Sequence, residues 1–262
     1  VTYDPELYDL VHTGTPGDLA FYVRASEGGE HVLELGSGTG RVLLALAEAG
    51  RRVTGVELDP AMLEAARRRL ARAPAEVAAR VTLVEGDMAA LDLGTRFDRI
   101  FVPFSGVYAL PSRAKVTACF RAVRDHLSAD GLFLFDAYAA DDFHRSSRPE
   151  DFPDDRLEEV ARVVHRGELL TVLERSRWDR THQRIDATYV YAAADGSVRY
   201  EATLTHRYLR RAEIERSLEE AGLELIAVHG DFEGGPYDPA SGSIVVLAHR
   251  AAPPRKKARR KR

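Results

Sequence analysis

The sequence predicts an α/β protein: a doubly wound sheet of seven strands, the last antiparallel, with an antiparallel β insertion after strand five. Three observations carry this. A short apolar strand at residues 32–35 runs straight into Gly36, Gly38 and Gly40, and then into a helical pattern over residues 42–48. Short apolar strands then alternate with helical stretches as far as Asp136, the order that gives right-handed crossovers and a parallel sheet. Between residues 159 and 209 the pattern changes to the two-residue alternation of antiparallel strands with one covered face.

The elements follow in order. Residues 1–30 precede the sheet and are expected to form a helical cover. Glycine turns tightly and lets a ligand lie against the main chain. A strand, a glycine turn and a helix N-terminus together make a nucleotide-binding edge. The second strand, residues 52–57, ends on Glu57, 17 positions after Gly40. A carboxylate there accepts both hydroxyls of a ribose and opposes a 2′-phosphate. Asp59 and Pro60 start the next helix, residues 61–73, with an oxygen at the N-cap and proline in the first turn. Met62, Ala66 and Leu70 form its apolar stripe, and Arg67, Arg68 and Arg69 are expected in solvent. A third strand, residues 80–85, leads into Gly86, Asp87 and Met88, and a fourth, residues 97–102, into Pro103, Phe104 and Ser105. The helix at residues 112–127 places Val116, Cys119, Phe120 and Val123 at helical spacing, so Cys119 reads as a buried small hydrophobe rather than a nucleophile. Residues 128–131 are expected to turn the chain into strand five, residues 132–136. In the insertion, strands at 169–178, 184–192 and 198–209 are separated by turns at Arg166-Gly167, Asp179-Arg180 and Asp195-Gly196. A helix at 212–221 and strands at 223–229 and 243–249 complete the sheet. The organisation is thus a cover (1–30), a core (31–150 and 211–250), the insertion (151–210) and a disordered basic tail (251–262).

The glycine spacing narrows the ligand. A dinucleotide turn reads Gly-x-Gly-x-x-Gly, whereas here the third glycine comes one place early and Arg41 stands in its position. Glu34 precedes the first glycine by two residues. The run Glu34-x-Gly36-x-Gly38-x-Gly40, with Glu57, Asp87, Met88 and the segment from Pro103 in register, resembles the class I S-adenosylmethionine-dependent methyltransferases. That resemblance implies a Rossmann-like fold and S-adenosyl-L-methionine as methyl donor. It also implies that Glu34, Gly36, Ser37, Gly38 and Gly40 surround the donor, Glu57 meets its ribose and Asp87 the adenine amine. Leu58 and Met88 then take the two faces of the base, and Phe104 lies beneath the methionine. Met88 reads equally well as a core gap-filler, and Asp59 as a helix cap. With its insertion, the layout is similar to small-molecule methyltransferases that carry a β sheet over the active site, such as glycine N-methyltransferases and amino-sugar N,N-dimethyltransferases. The implied reaction is transfer of methyl to a nitrogen or oxygen of a small metabolite by in-line displacement, where positioning supplies most of the acceleration.

Such a transfer calls for a modest base or a hydrogen-bond acceptor near the nucleophile. Tyr8, His12 and His206 are the catalytic candidates, and in related enzymes a pair like Tyr8-Asp9 helps cover the donor. Ser105, Tyr108, Asp136, Tyr138, Arg207 and Tyr208 fall on segments expected at the same rim. Tyr108 suits packing as well as substrate contact, and Arg207 reads as one half of an ion pair inside the insertion.

Composition excludes other classes. A single cysteine rules out an intramolecular disulfide and a cysteine-rich zinc site. No metal-ligand cluster of recognisable spacing stands out, so no metal is expected. No run approaches the ~20 apolar residues of a membrane span, and the N-terminus lacks a signal pattern, which points to the cytoplasm. Residues 255–262 hold 7 of the 37 basic residues, and without them 30 basic residues face 41 acidic ones. An acidic body does not suit the phosphate contacts that dominate nucleic-acid affinity. Nucleic acid is therefore not expected as a partner except through the 255–262 tail. That tail supports one alternative, an RNA-modifying methyltransferase. A non-catalytic S-adenosylmethionine-binding regulator is another. The partner expected is a small-molecule acceptor, and the oligomeric state, a homodimer included, stays open.

Overall fold

The computed structural model describes residues 3–153 and 156–252, so the 255–262 tail lies outside the described residues. The chain runs α1 (Pro5–Val11), α2 (Asp18–Ala25), β1 (His31–Leu35), α3 (Arg41–Glu48), β2 (Arg52–Glu57), α4 (Pro60–Leu70), α5 (Ala75–Ala78), β3 (Val81–Glu85) and β4 (Phe97–Val102). It continues through α6 (Arg113–His126), β5 (Leu127–Tyr138) and α7 (Asp141–Ser146) to four strands, β6 (Glu158–His165), β7 (Glu168–Asp179), β8 (Arg184–Ala192) and β9 (Val198–Arg207). It closes with α8 (Arg211–Ala221), β10 (Leu223–His229) and β11 (Ser243–Arg250).

The main sheet has seven strands in the order β10-β11-β5-β4-β1-β2-β3. Strands β1 to β5 pair in parallel, and β11 is antiparallel to both β5 and β10. The α/β fold expected from the alternation is the one found. Because both faces are covered, the central strands are apolar almost throughout. Leu33, Leu35, Ile100, Val102, Phe133 and Phe135 pack on the side of Phe120 and Leu218, from α6 and α8. Val32, Phe101 and Leu134 pack on the other side against Tyr22, Leu43 and Leu46, from α2 and α3. No helix among the described residues is long and apolar enough to cross a membrane.

Strands β6 to β9 form a separate antiparallel sheet in sequence order. Alternation puts Leu170, Val172, Tyr191 and Ala202 on one face, where they cluster with Tyr3 and Leu7 of the N-terminal segment and Met62 of α4. Asp4 caps α1 by accepting the Glu6 N–H at 2.8 Å, with proline in the first turn. Tyr3 and Tyr191 share a buried hydroxyl–hydroxyl bond of 2.6 Å, and Glu6 accepts from His165 Nε2 at 3.2 Å. The N-terminal segment is thereby fastened to the smaller sheet.

Three local expectations need correction. Residues 128–131 are not a turn before strand five but a bulge within it: Phe97 faces Leu127, and Arg99 already faces Leu132. The helix after β2 stops at Leu70, and Pro74 opens a separate short helix, α5. Arg69 does not point to solvent, because its Nη2 donates to Asp9 at 2.6 Å. Arg67 and Arg68 are exposed.

Candidate active site

The site forms at the carboxyl ends of the parallel strands. Beyond β1, the N–H groups of Gly36 and Ser37 both donate to the Val56 carbonyl, at 2.8 and 3.0 Å. That bonding tilts the loop over β2, and Gly36 and Gly38 take φ of 67° and 54°. A Cβ on either would meet no protein atom within 4 Å, so their bare main chain faces open space. Gly55 serves the opposite purpose: a Cβ there would stand 2.3 Å from Leu43 Cδ1, so it lets α3 close on β2.

Glu57 ends β2 and is held on both oxygens. Oε2 accepts the Gly38 N–H at 2.8 Å, and Oε1 accepts those of Leu58 and Asp59, each at 2.8 Å. Asp59 itself caps α4 through the Ala61 N–H. Glu34 is buried on β1, and its carboxyl is pushed up to about 8, first by burial and then by Glu57 against the opposing pull of Arg41. Glu34 Oε2 and Ser37 Oγ are both buried without a hydrogen-bond partner. Two unmatched oxygens beside a bare glycine turn fit a ligand that carries an amine. Asp87, past β3, accepts the Ala89 N–H at 2.8 Å and Lys115 Nζ at 3.1 Å, and these donors hold it below the usual carboxylate range. Met88 packs against the main core, whereas Leu58 is 63% exposed.

The floor is the loop after β4. Phe104 and Ser105 both have left-handed φ, 52° and 60°, a conformation that non-glycine residues rarely adopt. It is held by Asp136 of β5, whose Oδ1 accepts the Phe104 N–H at 2.9 Å and whose carbonyl accepts the Ser105 N–H at 3.0 Å. The Tyr22 hydroxyl also donates to Oδ1, at 2.6 Å, and burial pushes the Asp136 carboxyl up to about 6.

The roof comes from the N-terminus. Asp9 accepts from Thr39 Oγ1 at 2.5 Å and from Arg69 Nη2 at 2.6 Å. Buried Asp18 takes Arg41 in a two-pronged pair at 2.9 and 2.5 Å, and the Arg41 guanidinium lies 5.7 Å from the centre of the Phe104 ring. Between roof and floor the catalytic candidates come together. Tyr8 and His12 rings lie 4.5 Å apart, and His12 is edge-on to Tyr189 of β8 at 4.9 Å. His206 stacks on Tyr138 at 5.9 Å. Burial, with the nearby His206, pushes His12 down to about 4, and burial lowers His206 as well. Both imidazoles are neutral at pH 7. His12 Nε2 and the Tyr138 hydroxyl are buried without partners.

Other candidates fall away. The Tyr108 hydroxyl donates to the carbonyls of Tyr138 and Leu209, and Tyr208 is buried with its hydroxyl bonded to His144 and Trp178, so both are packing residues. Cys119 is buried, and its thiol is pushed up to about 12. Arg207 does not show the expected ion pair among the described residues, and its Nη1 is buried unpaired. The Arg41–Asp18 pair and the part played by Tyr189 were not foreseen. Tyr189 lies on the covered face of its strand by alternation, which was the one signal available for it.

Comparison with known proteins agrees with the fold. Residues 32–131 match a family described as a methyltransferase domain. Over 94% of this chain and 95% of the relative, the sequence is 30% identical to a cypemycin N-terminal methyltransferase of a Streptomyces species. Among solved structures, the CcbJ methyltransferase of Streptomyces caelestis superposes with a TM-score of 0.81 at 28% identity, covering 96% of this chain and 99% of that one. An S-adenosylmethionine-bound amino pentose methyltransferase of Micromonospora echinaspora gives 0.66 at 26% identity, with 94% and 98% covered.

Proposed function

The chain belongs to the S-adenosylmethionine-dependent methyltransferases, and we propose that it methylates an amine nitrogen of a small acceptor held between the glycine loop and the four-stranded sheet. The observation that carries this reading is the neutral imidazole of His12, with Nε2 buried and unpaired inside an aromatic chamber. A base with a pKa near 4 is far too weak to ionise an alcohol. It suffices for an amine, which needs only a free lone pair and sheds a proton after the methyl has moved. Neutral histidines also add no positive charge of their own that would repel a basic acceptor. The N-terminal and amino pentose methyltransferases among the relatives support the choice of nitrogen.

S-adenosylmethionine supplies a sulfonium methyl that is already activated, and departs as S-adenosylhomocysteine. Glu57 is suited to a ribose hydroxyl, since its carboxylate is fixed by three N–H groups and keeps one lone pair to spare. Asp87 accepts the adenine amine, with exposed Leu58 and half-buried Met88 on the ring faces. The main chain of Gly36, Ser37, Gly38 and Gly40 borders the methionine portion. Glu34 Oε2 and Ser37 Oγ find there the donor group that they lack. Phe104 closes the floor. Tyr8 and His206 hold the acceptor, and His12 takes an N–H hydrogen bond from it, leaving the lone pair aimed along the methyl–sulfur axis. The single free thiol fits a reducing compartment, and we place the enzyme in the cytoplasm.

The test is transfer of labelled methyl to a panel of amino sugars, peptides with free N-termini, phenols and RNA. Label on amines supports the reading. Label on phenols or RNA with none on amines would overturn it.

A further inference from the structure

Between the turn Pro149–Asp151 and strands β6 and β7 lies a cavity of about 330 Å³ that the donor-binding residues do not touch. Phe152 and Val160 make its apolar wall, and Glu174 and Ser176 of β7 lie on its sheet side. Glu174 is unusual in place. It sits on the covered face of the sheet, between Val172, which is fully buried in the cluster around Tyr3 and Leu7, and Trp178, buried against Phe143 and Phe152. A carboxylate on such a face is costly unless it is matched. Its hydrogen-bond partner is Ser176, whose hydroxyl donates to Oε1 at 2.9 Å, and Tyr189 stands directly across the ladder from it. Tyr189 is the same ring that stands edge-on to His12. Glu174 is thus one side chain removed from the unpaired imidazole.

The charge of the cavity is negative. Arg156, the one cation lining it among the described residues, is paired with Glu158 at 2.5 Å. Asp151 accepts the Arg148 N–H at 2.7 Å. Glu174 has no ion-pair partner among the described residues. A carboxylate whose hydrogen-bond partner is a neutral hydroxyl, on an apolar wall, favours a cation over a neutral or anionic group of the same shape.

We propose that this cavity is a subsite for the acceptor and that Glu174 anchors there a basic nitrogen other than the uncharged one that is methylated, making the enzyme selective for acceptors that carry a cationic amine over alcohols and acids of the same shape. This rests on the reading of the enzyme as an amine methyltransferase and assigns its substrate class. Glu174 makes and breaks no covalent bond; it is a specificity-determining residue.

The single tryptophan, Trp178, packs on Phe152 with ring centres 6.0 Å apart, so its fluorescence reports on the cavity. The full chain, saturated with S-adenosylhomocysteine, is titrated with phenethylamine, 2-phenylethanol and 3-phenylpropionate. The amine is expected to bind about tenfold tighter than the alcohol, and the acid weaker still. Glu174→Gln should bring the amine down to the level of the alcohol while calorimetry shows unchanged affinity for S-adenosylhomocysteine. Equal binding of amine and alcohol by the wild type, or an amine preference that survives Glu174→Gln, overturns the proposal. Methyl transfer to the amine panel is scored separately. A charge preference without amine methylation would sink the amine-transfer reading and the anchor's role in it. Amine methylation without the preference would sink the anchor alone.

Discussion

Burial keeps Glu34 protonated in the folded protein up to about pH 8, whereas its ordinary value is 4.5. Between those limits the folded state holds a proton that the unfolded chain has lost, so this residue lowers stability as pH rises through the window. Glu34→Gln keeps the shape and removes the titration. Without ligand, its Tm should fall less than the wild type's between about pH 5 and 8. Its affinity for S-adenosylhomocysteine should drop about tenfold, because the amide cannot ionise when the ligand's ammonium arrives as the carboxyl can. Parallel pH dependences of Tm in the two proteins would show that Glu34 is ionised in the fold. His12 has the opposite sign. Its pKa falls from 6.5 to about 4, so the unfolded chain binds the extra proton and stability is lost as pH falls through that range. If His12 accepts the acceptor's N–H, kcat should decline only towards pH 4, and His12→Ala should lower kcat about 10²-fold or more with the donor's affinity unchanged. A decline centred near 6.5 would mean that the imidazole is solvated during turnover.

At the scale of elements, the loop after β4 and the strand beside it act as one unit. Phe104 and Ser105 are kept left-handed by a single residue of β5, and strain of this kind costs on the order of 1–3 kcal/mol per residue. Asp136→Ala removes the acceptor for both the Phe104 N–H and the Tyr22 hydroxyl. It should destabilise the fold by about 2–4 kcal/mol and raise the KM for the donor as Phe104 relaxes. Asp136→Asn retains a carbonyl oxygen and should restore most of both, as melts and donor titrations would show. A normal donor KM in Asp136→Ala would detach the loop's geometry from donor binding. This unit also marks where sequence reading stops. The strand–glycine–helix run, the cap at Asp59 and the alternation of the insertion are local patterns, set by residues a few positions apart, and they were legible. The bulge at 128–131 was not, because Ser-Ala-Asp-Gly carries turn chemistry and only pairing with β4 keeps it within a strand. Tyr108 and Tyr208 looked like site residues because their hydrogen-bond partners lie far off in sequence, at Leu209, His144 and Trp178. The same distance hid the pairing of Arg41 with Asp18 and of Arg69 with Asp9.

Across the whole molecule, the N-terminal segment holds both the donor loop and the smaller sheet. On one side Asp9 grips Thr39 and Arg69, next to Gly38 and Gly40. On the other, Tyr3 and Leu7 are buried against Tyr191, whose hydroxyl donates to the Leu7 carbonyl at 3.2 Å, and Glu6 reaches His165. A ligand that stiffens the glycine loop therefore stiffens Asp9, and through seven residues of helix it stiffens strands that the ligand never touches. Donor occupancy would then order the sheet proposed to receive the acceptor, so that the acceptor would meet a formed chamber once the donor is in place. Hydrogen exchange reads this directly. S-adenosylhomocysteine should slow exchange of amides in β8 and β9 several-fold as well as in the loop at residues 36–40. In Asp9→Ala it should still protect the loop while leaving β8 and β9 at their ligand-free rates. Protection confined to the loop in the wild type, or protection of β8 and β9 that persists in Asp9→Ala, would show that the two halves of the site respond independently and that α1 is a passive cover.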